Sequence, residues 1–272
     1  MPGDSCYDPK FSATVWQLML LAEMGVQRTP WIESAIERVF RQHLMEDGSF
    51  DHEVCFTGHM LRTLLVLGYG DDPRVRRALE WLPELQLDDG GWNCDYPKHN
   101  PKHSSFMSTI DPLWAYSEIL RTQLTRKLKR SLERGAEFLL EHRVYKSDRD
   151  GQPVELRRKR PSSDDPLFTP GLITRFHFPM YYYYDALHGL RVLTGLGYGD
   201  DERISDSIHL ILSKKTPEGK WVLEGDWIRE RTDDNRKTLV TIEQVQKPSK
   251  WVTLNCYRVL ARTGNLEIPG RI

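Results

Sequence analysis

Apolar positions along this chain fall at helical spacing rather than in alternation. Val75, Ala78, Leu79, Leu82 and Leu85 recur three or four residues apart, with Arg74, Arg76, Arg77 and Glu80 between them, so one stripe is apolar and the opposite face charged. Comparable stripes predict amphipathic helices over 29–45, 73–87, 126–142 and 201–215. A second set, richer in apolar residues, predicts helices over 8–25, 53–68, 104–122, 178–196 and 249–263. Period-2 alternation bounded by turns is confined to Leu239 to Val245. The expected fold class is all-α.

The two sets alternate with a period. Leu67-Gly68-Tyr69-Gly70-Asp71-Asp72 returns as Leu196-Gly197-Tyr198-Gly199-Asp200-Asp201, and Gly90-Gly91-Trp92 returns as Gly219-Lys220-Trp221, both 129 residues later. That offset is three times 43, and intermediate landmarks at Met24-Gly25 and Gly48-Ser49-Phe50 lie 43 and 42 residues before their counterparts. In each unit an apolar helix ends at a glycine, and a Thr-Pro or acidic turn starts the second helix. That helix closes in an acidic-Gly turn before an aromatic residue. Helix pairs of this kind cannot bury their faces alone and must stack on neighbours. We expect a single domain over 1–272 built of helix-pair repeats of about 43 residues, with a charged insertion around 144–170. The insertion, with Arg157-Arg158-Lys159-Arg160, reads as a solvated loop or as a lid over a cavity mouth.

One unit carries more than a period. Trp81-Leu82-Pro83-Glu84-Leu85-Gln86-Leu87-Asp88-Asp89-Gly90-Gly91-Trp92 resembles the QW motif of squalene and oxidosqualene cyclases, with Leu44 and Lys215 standing in place of Gln86 in two other units. The resemblance, to the terpenoid cyclase and protein prenyltransferase superfamily, covers nearly the whole chain. It implies an α/α toroid, a closed ring or an open arc, whose first helices line a central cavity and whose second helices form the outer wall. It also implies an apolar, isoprenoid substrate. The Gln and Trp of the motif are structural in that family. Neither DxDD nor DDxxD occurs, the nearest stretch being Asp148-Arg149-Asp150-Gly151. The expected function is isoprenoid handling of the terpenoid-cyclase kind, with two alternatives: a zinc-dependent prenyltransferase-like enzyme using Cys55, and a non-catalytic lipid- or partner-binding toroid.

Candidate chemistry concentrates in Phe176-His177-Phe178-Pro179-Met180 and the four tyrosines Tyr181 to Tyr184 that precede Asp185 and His188. Aromatic faces stabilise cations, so Phe178, Tyr181, Tyr182, Tyr184 and Trp114 are candidate substrate contacts. Asp185 and His188, with His59 in the equivalent slot 129 residues earlier, are candidate proton-transfer groups. Packing between helices, with Asp185 as a cap, is the structural alternative. For a metal, Glu53-Val54-Cys55 resembles the Asp-x-Cys of protein prenyltransferases, with His59 one turn on and Cys94, His99 and His103 in the next loop. No cofactor is expected on the leading reading; zinc belongs to the alternative.

Composition narrows the partners. With 38 basic and 39 acidic residues, net charge −1, the chain lacks the basic excess of a nucleic-acid binder, although local basic patches remain open. The four cysteines lie far apart and read as reduced thiols of a cytoplasmic protein. No signal peptide and no transmembrane segment is expected, since the apolar stretch Val15 to Leu21 is broken by Gln17 and closed by Glu23. Peripheral membrane contact is compatible with an apolar substrate.

Overall fold

Helices start where the sequence supplies a capping oxygen. In the computed structural model, which describes residues 5–154, 173–225 and 242–266 and the strands Arg229–Arg231 and Lys237–Leu239, nine α-helices are present among the described residues. They are α1 (Thr14–Glu23), α2 (Pro30–His43), α3 (Val54–Val66), α4 (Pro73–Trp81), α5 (Phe106–Ser117), α6 (Arg126–Glu141), α7 (Ala186–Gly195), α8 (Ser205–Ser213) and α9 (Lys250–Arg262). Thr29, Asp72, Asp185 and Ser249 cap α2, α4, α7 and α9 by accepting a backbone N–H of the first turn. Two short antiparallel pairs complete the fold: β1 (Trp221–Val222) with β4 (Pro248–Ser249), and β2 (Arg229–Arg231) with β3 (Lys237–Leu239). No helix among the described residues is long and apolar enough to cross a membrane.

The turns between helices share their bonding. After α1, α3 and α7 a glycine at φ 76°, 82° and 91° takes the left-handed conformation. The next residue (Val26, Tyr69, Tyr198) then returns its N–H to Leu21, Leu64 or Leu193 O at 2.9–3.0 Å. At the other turns Phe50, Trp92 and Trp221 donate their backbone N–H to the hydroxyls of Thr57, Thr109 and Thr253 at 2.9, 3.0 and 3.0 Å. The threonine lies in the helix that follows, so each turn is stitched to the next apolar helix.

Several boundaries differ from the sequence expectation. The helix expected over 178–196 begins only at Ala186, because Pro179 cannot donate to a helix and Asp185 stops the chain in extended conformation. The run expected over 8–25 becomes helical at Thr14, after a turn at Pro9. Leu239 closes β3, and of the rest of the suspected strand the described residues 242–245 are not extended. Most of the charged insertion, 155–170, lies outside the described residues.

The described chain divides into two compact units: the first runs to Phe138 within α6 and includes the β2–β3 pair, and the second holds the rest. In the first, α3 and α5 are buried almost all round, as expected of helices with no polar face. Their backbones nearly touch: a Cβ on Gly58 would lie 2.6 Å from the Asp111 carbonyl carbon. In the second unit α7 and α9 pack around buried Tyr184, Leu190, Trp221 and Val252.

One expectation is overturned here. Cys55, at the start of α3, and Cys94, in the loop leading to α5, form a disulfide, so these two are not reduced thiols. Neighbouring helix starts bring them together although 39 residues separate them. The cytoplasmic reading rested on four reduced thiols; Cys6 and Cys256, both buried, are outside the disulfide. Closing a loop of this length restricts the unfolded chain by about 4 kcal/mol in the chain-entropy model. Reduction, or Cys55→Ser with Cys94→Ser, is expected to lower unfolding stability by about 2–4 kcal/mol in urea titration.

Candidate active site

The α3–α5 contact places two ionisable side chains in the core of the first unit. His59 projects from α3 and Asp111 from α5, and Nε2 lies 3.1 Å from Oδ1 with both side chains at most 2% exposed. That distance is within reach, but the orientation is not that of a hydrogen bond, and neither carboxylate oxygen of Asp111 has a hydrogen-bond partner among the described residues. Gly58 makes the approach possible, since any larger side chain would push α5 away. Ile110 and Leu113 around the acid are fully buried.

Burial sets the proton inventory. It pushes the Asp111 carboxyl well above its ordinary 3.8. It holds the His59 imidazole down at about 3 instead of 6.5, with the nearby Arg62 charge adding to the effect. Burial thus favours the uncharged form of each group, the protonated carboxyl and the neutral imidazole. Arg62, one turn further along α3, is buried but paired: its Nη2 donates to Glu23 at 2.6 Å and its Nε to Glu118 at 3.3 Å. Its guanidinium lies 4.4 Å from the Trp114 ring centroid, so one face of that ring is taken. The His59 ring meets Trp114 edge-on at 6.0 Å.

This arrangement makes stability depend on pH. Because the Asp111 carboxyl is raised, above 3.8 the folded chain keeps its proton longer than the unfolded one, so this contribution to stability falls as pH rises. His59 works in the opposite sense: between about 3 and 6.5 the unfolded imidazole binds a proton that the folded one refuses, so its contribution to stability falls as pH falls. Below 3.8 His59 alone counts, and stability falls with falling pH until about 3. Urea unfolding is expected to show wild type losing more stability with rising pH than Asp111→Asn does, by at most about 1.4 kcal/mol per pH unit. Parallel curves would contradict the assignment.

In the second unit the aromatic run forms an irregular segment before α7. Asp185 is fully buried, and its Oδ1 accepts the His188 backbone N–H and its Oδ2 that of His177, each at 2.8 Å. The His177 ring packs on the Gly225 backbone, where a Cβ would lie 2.1 Å from Nε2. Tyr184 donates its hydroxyl to Val144 O at 2.5 Å and leans on Gly189. Phe178 stacks on Trp251 at 5.1 Å. Tyr181 is buried, at φ 38°, with burial pushing its hydroxyl up to about 12, whereas Tyr182 is half-buried. His188 is buried at 3% exposure. Asp185 and His188 thus meet through a backbone amide, not through ring and carboxylate. His59 belongs to the first unit and His188 to the second.

The metal candidates do not converge. Cys55 and Cys94 are bonded to each other, His59 turns toward Asp111, and Glu53 and His103 are exposed. No group of three His, Cys, Asp or Glu side chains suited to a metal occurs among the described residues, so they do not fit a tetrahedral zinc centre. Sequence reasoning missed Asp111. Its signal was an acid amid Thr109-Ile110 and Pro112-Leu113-Trp114 in a helix expected to be apolar.

No family model matches this sequence, and no curated protein is similar to it. Solved structures are similar at the level of chain trace. One is a polysaccharide lyase, 12% identical with a TM-score of 0.49, matching 94% of this chain and 73% of that one. Another is the type II terpene cyclase MstE from Scytonema, 12% identical with a TM-score of 0.30, over 92% of this chain and 87% of that one. A variant of that cyclase in complex with geranylgeranyl dihydroxybenzoate is 11% identical at 0.32, over 93% and 87%. Likeness this low assigns no activity.

Proposed function

We propose that this protein is an isoprenoid-handling enzyme of the terpenoid-cyclase kind, in which the Asp111 carboxyl is the proton donor and His59 its partner. The observation that carries the reading is the buried pair itself: a carboxyl whose burial favours its protonated form, 3.1 Å from an imidazole whose burial favours its neutral form, among apolar and aromatic side chains. Such an acid suits a substrate that offers only a carbon–carbon double bond. The alkene π pair takes the carboxyl proton, forming a C–H bond and a carbocation and leaving the Asp111 carboxylate. The cation loses a proton elsewhere in its skeleton to close the reaction, and a proton returns to Asp111 through His59. The net change is an isomerisation, with no co-reactant consumed.

Asp185, named from the sequence as an acid, takes a different part in this proposal. Its oxygens hold two backbone amides and so fix the segment carrying Phe178, Tyr181, Tyr182 and Tyr184. In the first unit, Trp114 beside His59 remains a proposed substrate contact. The α/α-toroid arrangement belongs to the same proposal and is supported by the recurrence of the glycine and threonine turns.

The test is incubation with long linear isoprenoid hydrocarbons and alcohols, followed by melting-temperature measurement and product analysis by gas chromatography and mass spectrometry. A raised melting temperature with rearranged products of unchanged mass is expected. A raised melting temperature without products would leave a lipid-binding protein, and neither effect would overturn the isoprenoid reading.

A further inference from the structure

The first unit carries a charged groove that this chemistry does not use. Arg126, Lys127, Lys129 and Arg130 in the opening turns of α6, with Arg134 one turn on, line a groove of 930 Å³ whose far wall is Pro83 and Gln86. Two of the five cations are held in place. Lys127 pairs with Glu84 and donates to Glu80 O at 3.0 Å, and Arg134 donates to Leu87 O and Asp88 O at 2.7 and 3.2 Å. Gln86 is fixed by Gly90 O and Ser131 O at 2.6 and 2.8 Å. Arg126, Lys129 and Arg130 are exposed and make no ion pair among the described residues.

These three charges are costly where they stand. Arg126 and Arg130 are one helical turn apart, a spacing at which like charges repel. Arg126, the first residue of α6, also sits at the positive end of the helix dipole. Glu133 is the one carboxylate in the groove wall, against five cations. No aromatic residue lines the groove, and Pro83 is its one apolar side chain. It is therefore unsuited to the apolar substrate and suited to a compact polyanion.

We propose that the α6 groove binds a small anion carrying two linked phosphate groups. Arg126 and Arg130 lie about 6 Å apart along the helix axis, a spacing that lets each fork take one phosphate, with Lys129 between them as a mobile point charge. The assignment is independent of the Asp111 chemistry.

The test is calorimetric titration of the full chain at low salt with inorganic pyrophosphate, against sulfate and against vesicles of phosphatidylglycerol in phosphatidylcholine. Pyrophosphate is expected to bind on the order of tenfold or more tighter than sulfate, and to weaken as salt is raised. The triple variant Arg126→Gln, Lys129→Gln, Arg130→Gln should lose that preference with a melting temperature no lower than wild type, because it relieves repulsion on an exposed face. Arg130→Gln alone should lose part of it. The proposal is overturned if pyrophosphate binds no tighter than sulfate or if the variants bind it as wild type does. Vesicle binding that pyrophosphate does not displace would also overturn it, and would assign the groove to a membrane.

Discussion

Asp111→Asn is expected to lower turnover of an isoprenoid substrate by roughly 10²–10⁴-fold, the range over which a positioned general acid contributes, while the substrate still raises the melting temperature. The amide keeps the carboxyl's shape and can donate to His59 Nε2 from its NH₂, so the α3–α5 contact survives. What it lacks is a transferable proton. His59→Gln should act more mildly, because the carboxyl still carries its proton and only the return path is lost. Asp185→Asn provides the contrast. There the side-chain oxygen can still accept one of the two amides at 2.8 Å, so the expected result is loss of stability, with turnover by the folded fraction retained. Equal loss of turnover in Asp111→Asn and Asp185→Asn would mean that neither is the acid.

Trp92→Ala should destabilise the first unit by about 3–5 kcal/mol, as large-to-small aromatic losses in a core do. The ring is fully buried and packs on Tyr116 at 6.4 Å, and its Nε1 donates to Leu82 O at 2.8 Å. A Cβ on Gly135 would lie 2.7 Å from the ring, so α6 closes tightly over it and cannot refill the hole without moving. The carbonyl of Leu82 would also lose its donor at the point where α4 gives way to a short 3₁₀ turn. Trp221 makes the same bond to Ile211 O at 2.7 Å, so Trp221→Ala should cost the second unit a similar amount. Urea titration reads both. A Trp92→Ala protein of unchanged stability that no longer responds to ligand would place this residue in a binding site instead.

The helices were legible because their signals are local. A capping Thr29 or Asp72 with proline behind it, a glycine after the last apolar turn and a stripe at helical spacing each act within a few residues. The site was much less so. The aromatic run at 178–184 looked like the start of a helix because its composition is apolar, but Asp185 acts as a cap and turns the preceding segment irregular. Asp111 and His59 stand 52 positions apart, and nothing local pairs them. Their contact depends on Gly58 letting two backbones approach, which is a tertiary fact. The disulfide was missed for the same reason: Cys55 and Cys94 meet because successive apolar helices start side by side, and spacing alone reads as two distant thiols.

Infrared difference spectroscopy of wild type against Asp111→Asn, at neutral pH in heavy water, reads the proton on which the account rests. The account predicts a protonated carboxylic acid C=O band in wild type that Asp111→Asn lacks, with no accompanying carboxylate difference. A difference spectrum showing instead the loss of an ionised carboxylate pair of bands would mean that Asp111 is charged beside His59, and would contradict its role as the acid.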